Sequence, residues 1–405
     1  MKNKIFIRLR RKPRACPCLP AEASAQAGMN ATKCASADVT KWASPKADNP
    51  PKPWRRWVYL GTTGLPVGCS IFLLLSLTVL FISAKSFAKE NTIRIGYFPN
   101  ITHSQAVVGV AKGVFQKHLG DKVKIEVKMF NAGPSVIEAL FAGELDLAYI
   151  GPNPAINGYI KSQGEALCII AGATSGGAGL VVRKDSGINK IRDFHGKKIA
   201  SPQLGNTQDV ALRAWLKNNG FILKEKGGDT QVIPLANPDQ LTLFLKKEID
   251  GAWTVEPWVS RLIQQGDGRL FLDESSLWPN GEFVTANIIV NKKFLKEHRD
   301  LVKKFIAAHI EMTQWINDNL EESKKIINSE LKRIIGKSLP PQVIDQAFSR
   351  LKVTYDPIKT SLLTSAKWAF EQGFLGKTFP DLSGIYDLSI LNEILSEKGL
   401  EPING

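Results

Sequence analysis

The chain has 405 residues and a formal net charge of +15, but the charge is lopsided. Residues 1–88 carry fourteen Lys and Arg against three Asp and Glu, and the remainder balances to about +4. A body this balanced has no electrostatic need for nucleic acid, and at 317 residues it suits two lobes better than one core.

Residues 1–56, rich in Lys, Arg, Ala, Ser and Pro without an apolar period, read as a disordered basic leader. Residues 57–88 read as a signal peptide. Ile71–Ala84 is a charge-free apolar run, short for a bilayer span of about 20 residues but right for a signal-peptide core. Arg55-Arg56 precedes it and Ser86-Phe87-Ala88 offers a small-x-small cleavage site, so the mature chain is expected to begin near Lys89 in the periplasm. The alternative is an uncleaved membrane anchor over 57–84. So long a basic prefix also leaves room for a translation start at Met29 or later. Four of the five cysteines lie in this leader; Cys168 alone remains, in an apolar run, as a small buried hydrophobe without a disulfide partner.

The expected first lobe takes residues 89–183. Asn91–Phe98 alternates like a strand, Pro99-Asn100 stops it, and Thr102 caps a helix expected over His103–Leu119. Strands follow at Lys122–Phe130, Leu145–Ile150 and Leu167–Thr174, with helices after Pro134 and Gly151-Pro152-Asn153-Pro154. The second lobe, 184–283, restarts the pattern with strands Lys198–Ser201, Thr230–Leu235 and Gly251–Val255. Its helices are Thr207–Asn218, Pro238–Lys246 and one after Glu256-Pro257. Gly179–Arg183 and Val284–Val290 are candidates for the crossings between lobes. Residues 284–405 return to the first lobe, with amphipathic runs at Leu301–Asn319, Pro341–Leu351 and Thr360–Gln372. Alternating strands and helices argue for parallel sheets covered on both faces.

A faint repeat supports the doubling. Residues 132–149 return 104 positions later as 236–253, with Ala132, Pro134, Glu144, Asp146 and Ala148 meeting Ala236, Pro238, Glu248, Asp250 and Ala252. Each copy is preceded by a β-rich run and reads as turn, Pro, helix, Glu-x-Asp and apolar strand. The Glu-x-Asp pairs look like exposed turn residues, and the positions just beyond each copy look like the place for a ligand.

In open parallel sheets ligands sit at the carboxyl ends of strands. That rule selects the loops Phe98–His103, Gly151–Pro154, Thr174–Gly177, Gln203–Thr207 and Thr254–Pro257. Several open helices, whose unpaired N–H groups and partial positive charge favour an anion. Each loop alone is equally well explained as helix capping, worth about 1 kcal/mol; their convergence on one cleft is what suggests a site.

The segments GYFPNITHSQA, NAGPSVIEALFAGELDLAYIGPNPA, SPQLGNTQDVALRAW and DGAWTVEPW resemble the ABC-importer solute-binding proteins for nitrate, aliphatic sulfonates, taurine and bicarbonate, over about Ile93 to Leu382. The resemblance implies an α/β fold of the two-lobed periplasmic binding protein class (type II), its parallel-sheet-containing lobes joined by two crossing strands. It implies capture of a small oxyanion or zwitterion and delivery to an ABC permease and its ATPase, by a monomer that does no chemistry and needs no cofactor or metal. Carried over position by position, it implies ligand contacts at Asn100, Thr102 and His103, at Asn153, and at Thr174 and Ser175. In the second lobe it implies Gly205, Asn206 and Thr207, then Trp253 and Glu256. Sulfonate binders often have a Ser-rich loop where this chain has Gly205-Asn206-Thr207-Gln208, and Glu256 as the one acid keeps a ligand with an amino group open.

Blander readings compete. Trp253 is as easily core, and Glu256 as easily charges a helix start. His195 reads as a surface turn residue; His118, His298 and His309 lie on helices with no metal-ligand cluster. Trp258, Trp278, Trp315 and Trp368 read as packing residues. The alternatives in function are an enzyme on this fold, a thiamine-pyrimidine-type binder, and a membrane-tethered sensor. No Ser-His-Asp order or paired catalytic carboxylates stand out, and GATSGGAG (172–179) lacks the Lys-Ser/Thr of a phosphate loop.

Overall fold

A computed structural model describes residues 91–403. The leader, the signal segment and its cleavage site lie outside the described residues. No described helix is long and apolar enough to cross a membrane.

Among the described residues, eleven strands form two sheets. The first contains β1 (Asn91–Tyr97), β2 (Val123–Met129), β3 (Leu147–Ile150), β4 (Leu167–Gly176), β10 (Val284–Asn291) and β11 (Leu351–Val353), in the order β11-β4-β10-β3-β1-β2. The second contains β5 (Ala178–Arg183), β6 (Lys198–Ser201), β7 (Gln231–Pro234), β8 (Gly251–Val255) and β9 (Gly268–Asp273), in the order β7-β6-β8-β5-β9. Both sheets are mixed. β2-β1-β3 run parallel in one and β7-β6-β8 in the other, and each trio is bordered by an antiparallel strand, β10 or β5.

The repeat is therefore real in three dimensions. Its first copy carries the chain from β2 through helix Gly133–Phe141 to β3, and its second from β7 through helix Asn237–Leu245 to β8. Pro134 and Pro238 occupy the first turns, where a missing N–H costs nothing. The matched Asp residues make the same clamp on the central strand. Arg94 N–H donates to Asp146 Oδ2 (2.7 Å) while Asp146 N–H donates to the Arg94 carbonyl (2.9 Å). Lys198 N–H donates to Asp250 Oδ2 (2.9 Å) and Asp250 N–H to the Lys198 carbonyl (2.8 Å). The expectation of exposed turn carboxylates fails here: Asp146 is buried and Asp250 half-buried, because each completes the hydrogen bonding at a strand start. Glu144 and Glu248 are exposed.

The strands alternate their faces, so each sheet is covered on both sides. Ile93, Ile95 and Tyr97 of β1 pack with Phe305 and Ile306 of the twenty-residue helix Arg299–Asp318, while Ala148 and Ile150 face the opposite layer. The helices Arg299–Asp318 and Pro341–Ser349 pack in the core of the first sheet, as does Leu320–Ile335, which the sequence reading lacked. The helix expected over His103–Leu119 is divided into Ser104–Ala111 and Val114–Leu119.

The chain leaves the first sheet at Gly176-Gly177 and returns through 274–283, so the crossings flank β5 and β10, and each of those strands lies wholly in one sheet. Both glycines sit at positive φ (76° and 74°), where a side chain is strained. Gly177 N–H donates to the Arg350 carbonyl, and its own carbonyl accepts from Glu256 N–H (both 2.8 Å), tying the crossing to both sheets.

Candidate functional site

The carboxyl ends of both parallel trios meet at a small cavity of about 20 Å3, the scale of one water-sized group. The loop after β1 enters it first. His103 is buried, its Nδ1 accepts the Phe98 N–H (3.2 Å), and its ring stacks on Phe98 with centroids 4.6 Å apart. Burial pulls its pKa down to about 3, so at neutral pH the ring is uncharged with its proton on Nε2. Asn100 stands beside it. Its Oδ1 accepts the Trp258 indole N–H (3.1 Å), a bond between the two halves of the molecule that leaves the amide NH2 as donor.

From the second sheet come Asn206, Thr207 and Gln208, at the N-terminus of the helix Thr207–Asn218. Asn206 Oδ1 accepts from Thr207 N–H (2.9 Å). Thr207 Oγ1 is buried without a hydrogen-bond partner among the described residues, a state costing about 1–3 kcal/mol. Opposite lies Gly151, where an added Cβ would stand 2.5 Å from Thr207 Oγ1, so only glycine permits this approach. Asn237 Oδ1 accepts from Thr254 Oγ1 (3.1 Å), and its NH2 too is left as donor.

Among the described residues, no Lys, Arg, Asp or Glu lines this cavity. What lines it is amide, hydroxyl and helix N-terminus, a set of donors suited to an anion and offering no counter-charge to a cation.

Of the residues expected at the site, Asn100, Thr102, His103, Asn206 and Thr207 come together here. Six others do not line the cavity, each for a visible reason. Asn153 Oδ1 accepts from Ser365 Oγ (2.7 Å), pinning two helices together. Thr174 Oγ1 donates to the Thr102 carbonyl (2.7 Å), and Ser175 Oγ accepts from Phe283 N–H (3.3 Å); both brace the loops. Gly205 N–H donates to Asp209 Oδ2 (2.9 Å) within its turn. Trp253 is fully buried, its indole N–H bonded to Glu274 Oε2 (2.7 Å) and its ring edge-on to Trp215. Glu256 is spent on Ser260 and on Arg350 (3.0 Å); burial raises its pKa to about 7, opposed by those partners.

The residues that sequence reasoning missed include Asn131 and Asn237. They sit after β2 and β7, at the entry to each copy of the repeat. The rule that selects loops at strand ends applies there equally, and the pair of Asn beside matched Ala132 and Ala236 was the available signal.

Two covered mixed sheets, joined by two crossings and closed on an uncharged cavity rich in donors, define a protein of the periplasmic-binding-protein fold. The sequence profile of the NMT1-like family matches residues 87–329, and the chain belongs to that family. It is similar to the taurine-binding periplasmic protein of Escherichia coli, at 27% identity over 279 residues, covering 66% of this chain and 83% of that one. Among solved structures it resembles the alkanesulfonate-binding protein of Xanthomonas axonopodis pv. citri bound to MOPS, at TM-score 0.60 and 21% identity, covering 72% of this chain and 96% of the other. The nitrate-binding protein of Synechocystis has a similar fold, at TM-score 0.61 and 16% identity over 76% of this chain and 89% of its own. These relatives are named for binding, not for catalysis.

Proposed function

We propose that this protein is the extracytoplasmic solute-binding component of an ABC importer, taking a small oxyanion such as an organic sulfonate between its lobes and handing it to a permease. In this reading it acts as an exported monomer that performs no reaction, its lobes dividing at Gly176-Gly177 and within 274–283 instead of at 183/184 and 283/284, because β5 belongs to the second sheet. The observation that carries the reading is the cavity at the strand ends, where Asn100, Asn237 and the unpaired Thr207 hydroxyl offer donors and no acid intrudes. The names of the relatives support the same ligand class. A zwitterion such as taurine is disfavoured by one feature: Glu256, the acid that would meet an ammonium group, already serves Arg350.

The test is a ligand panel on the purified protein. Methanesulfonate, nitrate and taurine are expected to raise the melting temperature in that spirit of selectivity, the first most and taurine least. At a hundredfold excess over Kd the gain is about 2.7 kcal/mol. No shift with any anion, or turnover of any of them, removes the reading.

A further inference from the structure

Phe98, Asn100, Asn131 and Asn237 line the anion cavity, and the same four residues line a second cavity of about 370 Å3. An apolar cavity of about 150 Å3 already holds a benzene ring. Part of its wall is apolar, made by Phe130, Leu241 and, between the lobes, Trp258. Trp258 is held rigid. Its indole N–H is bonded to Asn100, and the Arg261 guanidinium lies over its ring, 4.4 Å from the centroid.

Two cations complete the wall, Arg261 and Lys337, and no Asp or Glu lines it. Arg261 Nε donates to Gln265 (3.1 Å), and among the described residues neither Arg261 nor Lys337 pairs with a carboxylate. Other arginines of the second half do find one, as Arg183 does in Asp185 and Arg213 in Asp209. Burial pulls the Arg261 guanidinium below its ordinary range, as expected for a charge removed from water without a counter-ion. Two cations without a carboxylate partner beside an apolar surface, next to a donor-lined site for an anionic head, form a template with one neutral donor end and one positive end.

We propose that the ligand is an organic dianion: one acidic head in the small cavity, an aromatic body against Trp258 and Phe130, and a second acidic group between Arg261 and Lys337. The proposal rests on the anion-binding reading above and adds the tail and the second charge. It gives Trp258 a binding role beyond packing. Arg261 and Lys337 set the preference for two charges over one.

Calorimetry with methanesulfonate, benzenesulfonate and 4-sulfobenzoate separates the possibilities. Benzenesulfonate should bind more tightly than methanesulfonate, and 4-sulfobenzoate more tightly again, by about tenfold, since each partly exposed ion pair contributes modestly. That last step should shrink with added salt and vanish in the double variant Arg261→Gln/Lys337→Gln, whose melting temperature checks that it is folded. Equal affinity for the two aromatic ligands, or a preference that survives the double variant, overturns the proposal and leaves the anion site standing. If none of the three binds, the anion-binding reading falls with it.

Discussion

The two copies of the repeat are built alike and used differently. In both, Pro starts the helix, Asp clamps the central strand and a buried aromatic follows, Tyr149 in one and Trp253 in the other. Around this common frame the partners diverge. Asp146 is buried and gripped by both the backbone and the guanidinium of Arg94, whereas the half-buried Asp250 meets Arg183 at 3.4 Å from a neighbouring strand. Tyr149 bonds His309 across a helix, whereas Trp253 bonds Glu274 in the returning crossing. What the copies share builds the sheets; what they do not share fixes how each lobe meets the crossings and the cavity.

The aromatic pair gives the largest expected effect. Trp253→Ala should cost about 3–5 kcal/mol, because it opens a cavity and removes the 2.7 Å hydrogen bond from the buried Glu274. Denaturant unfolding measures it. A loss below that of Tyr149→Phe, which removes one hydroxyl, would break the idea that Trp253 anchors the second lobe. The clamps come next. Asp146→Ala should cost about 2–3 kcal/mol and Asp250→Ala about half as much, since only the first carboxylate is well buried and bidentate. Equal losses would show that the clamp's backbone bonds decide its worth and the arginine adds nothing.

A pH comparison sharpens the crossing. Burial raises the Glu274 pKa to about 7, and the indole N–H groups of Trp253 and Trp278 oppose the shift. The native state therefore binds a proton that the unfolded chain has released between pH 4.5 and 7, and Glu274 costs stability as pH rises through that window. His103 and His309 act in the opposite sense, their pKa values lowered to about 3 and about 4 by burial, so stability falls as pH drops below their unfolded value. The whole profile is thus flattened, and the informative quantity is a difference. Glu274→Gln should gain on the wild type by on the order of 2 kcal/mol between pH 5 and 7. A constant difference across that range would mean that the carboxyl titrates normally.

The smallest effect belongs to the cavity. Gly151→Ala drives a methyl group toward Thr207 Oγ1 and should weaken anion binding about tenfold with little change in melting temperature. Undiminished affinity would show that the lobes close elsewhere.

Period and punctuation made most of this fold legible. The strand at Lys198–Ser201 and the helix at Thr207–Asn218 stand where their alternation and capping residue place them. β9 was not legible, because its residues Gly268–Asp273 are half-buried on an edge and lack a clean alternation. The site was legible only as a set of loops. Loop position found Asn100, Thr102, His103, Asn206 and Thr207, but sequence cannot tell which polar side chains a neighbour will claim. Ser365 claims Asn153, Phe283 claims Ser175 and Arg350 claims Glu256, all from segments more than ninety residues away.

The bond from Trp258 to Asn100 has an optical consequence. It joins the two lobes through an indole N–H, and an indole's emission depends on whether that group faces protein or water. Separation of the lobes would hand the N–H to solvent and shift its fluorescence to the red, so the molecule carries its own gauge of closure, readable without a label.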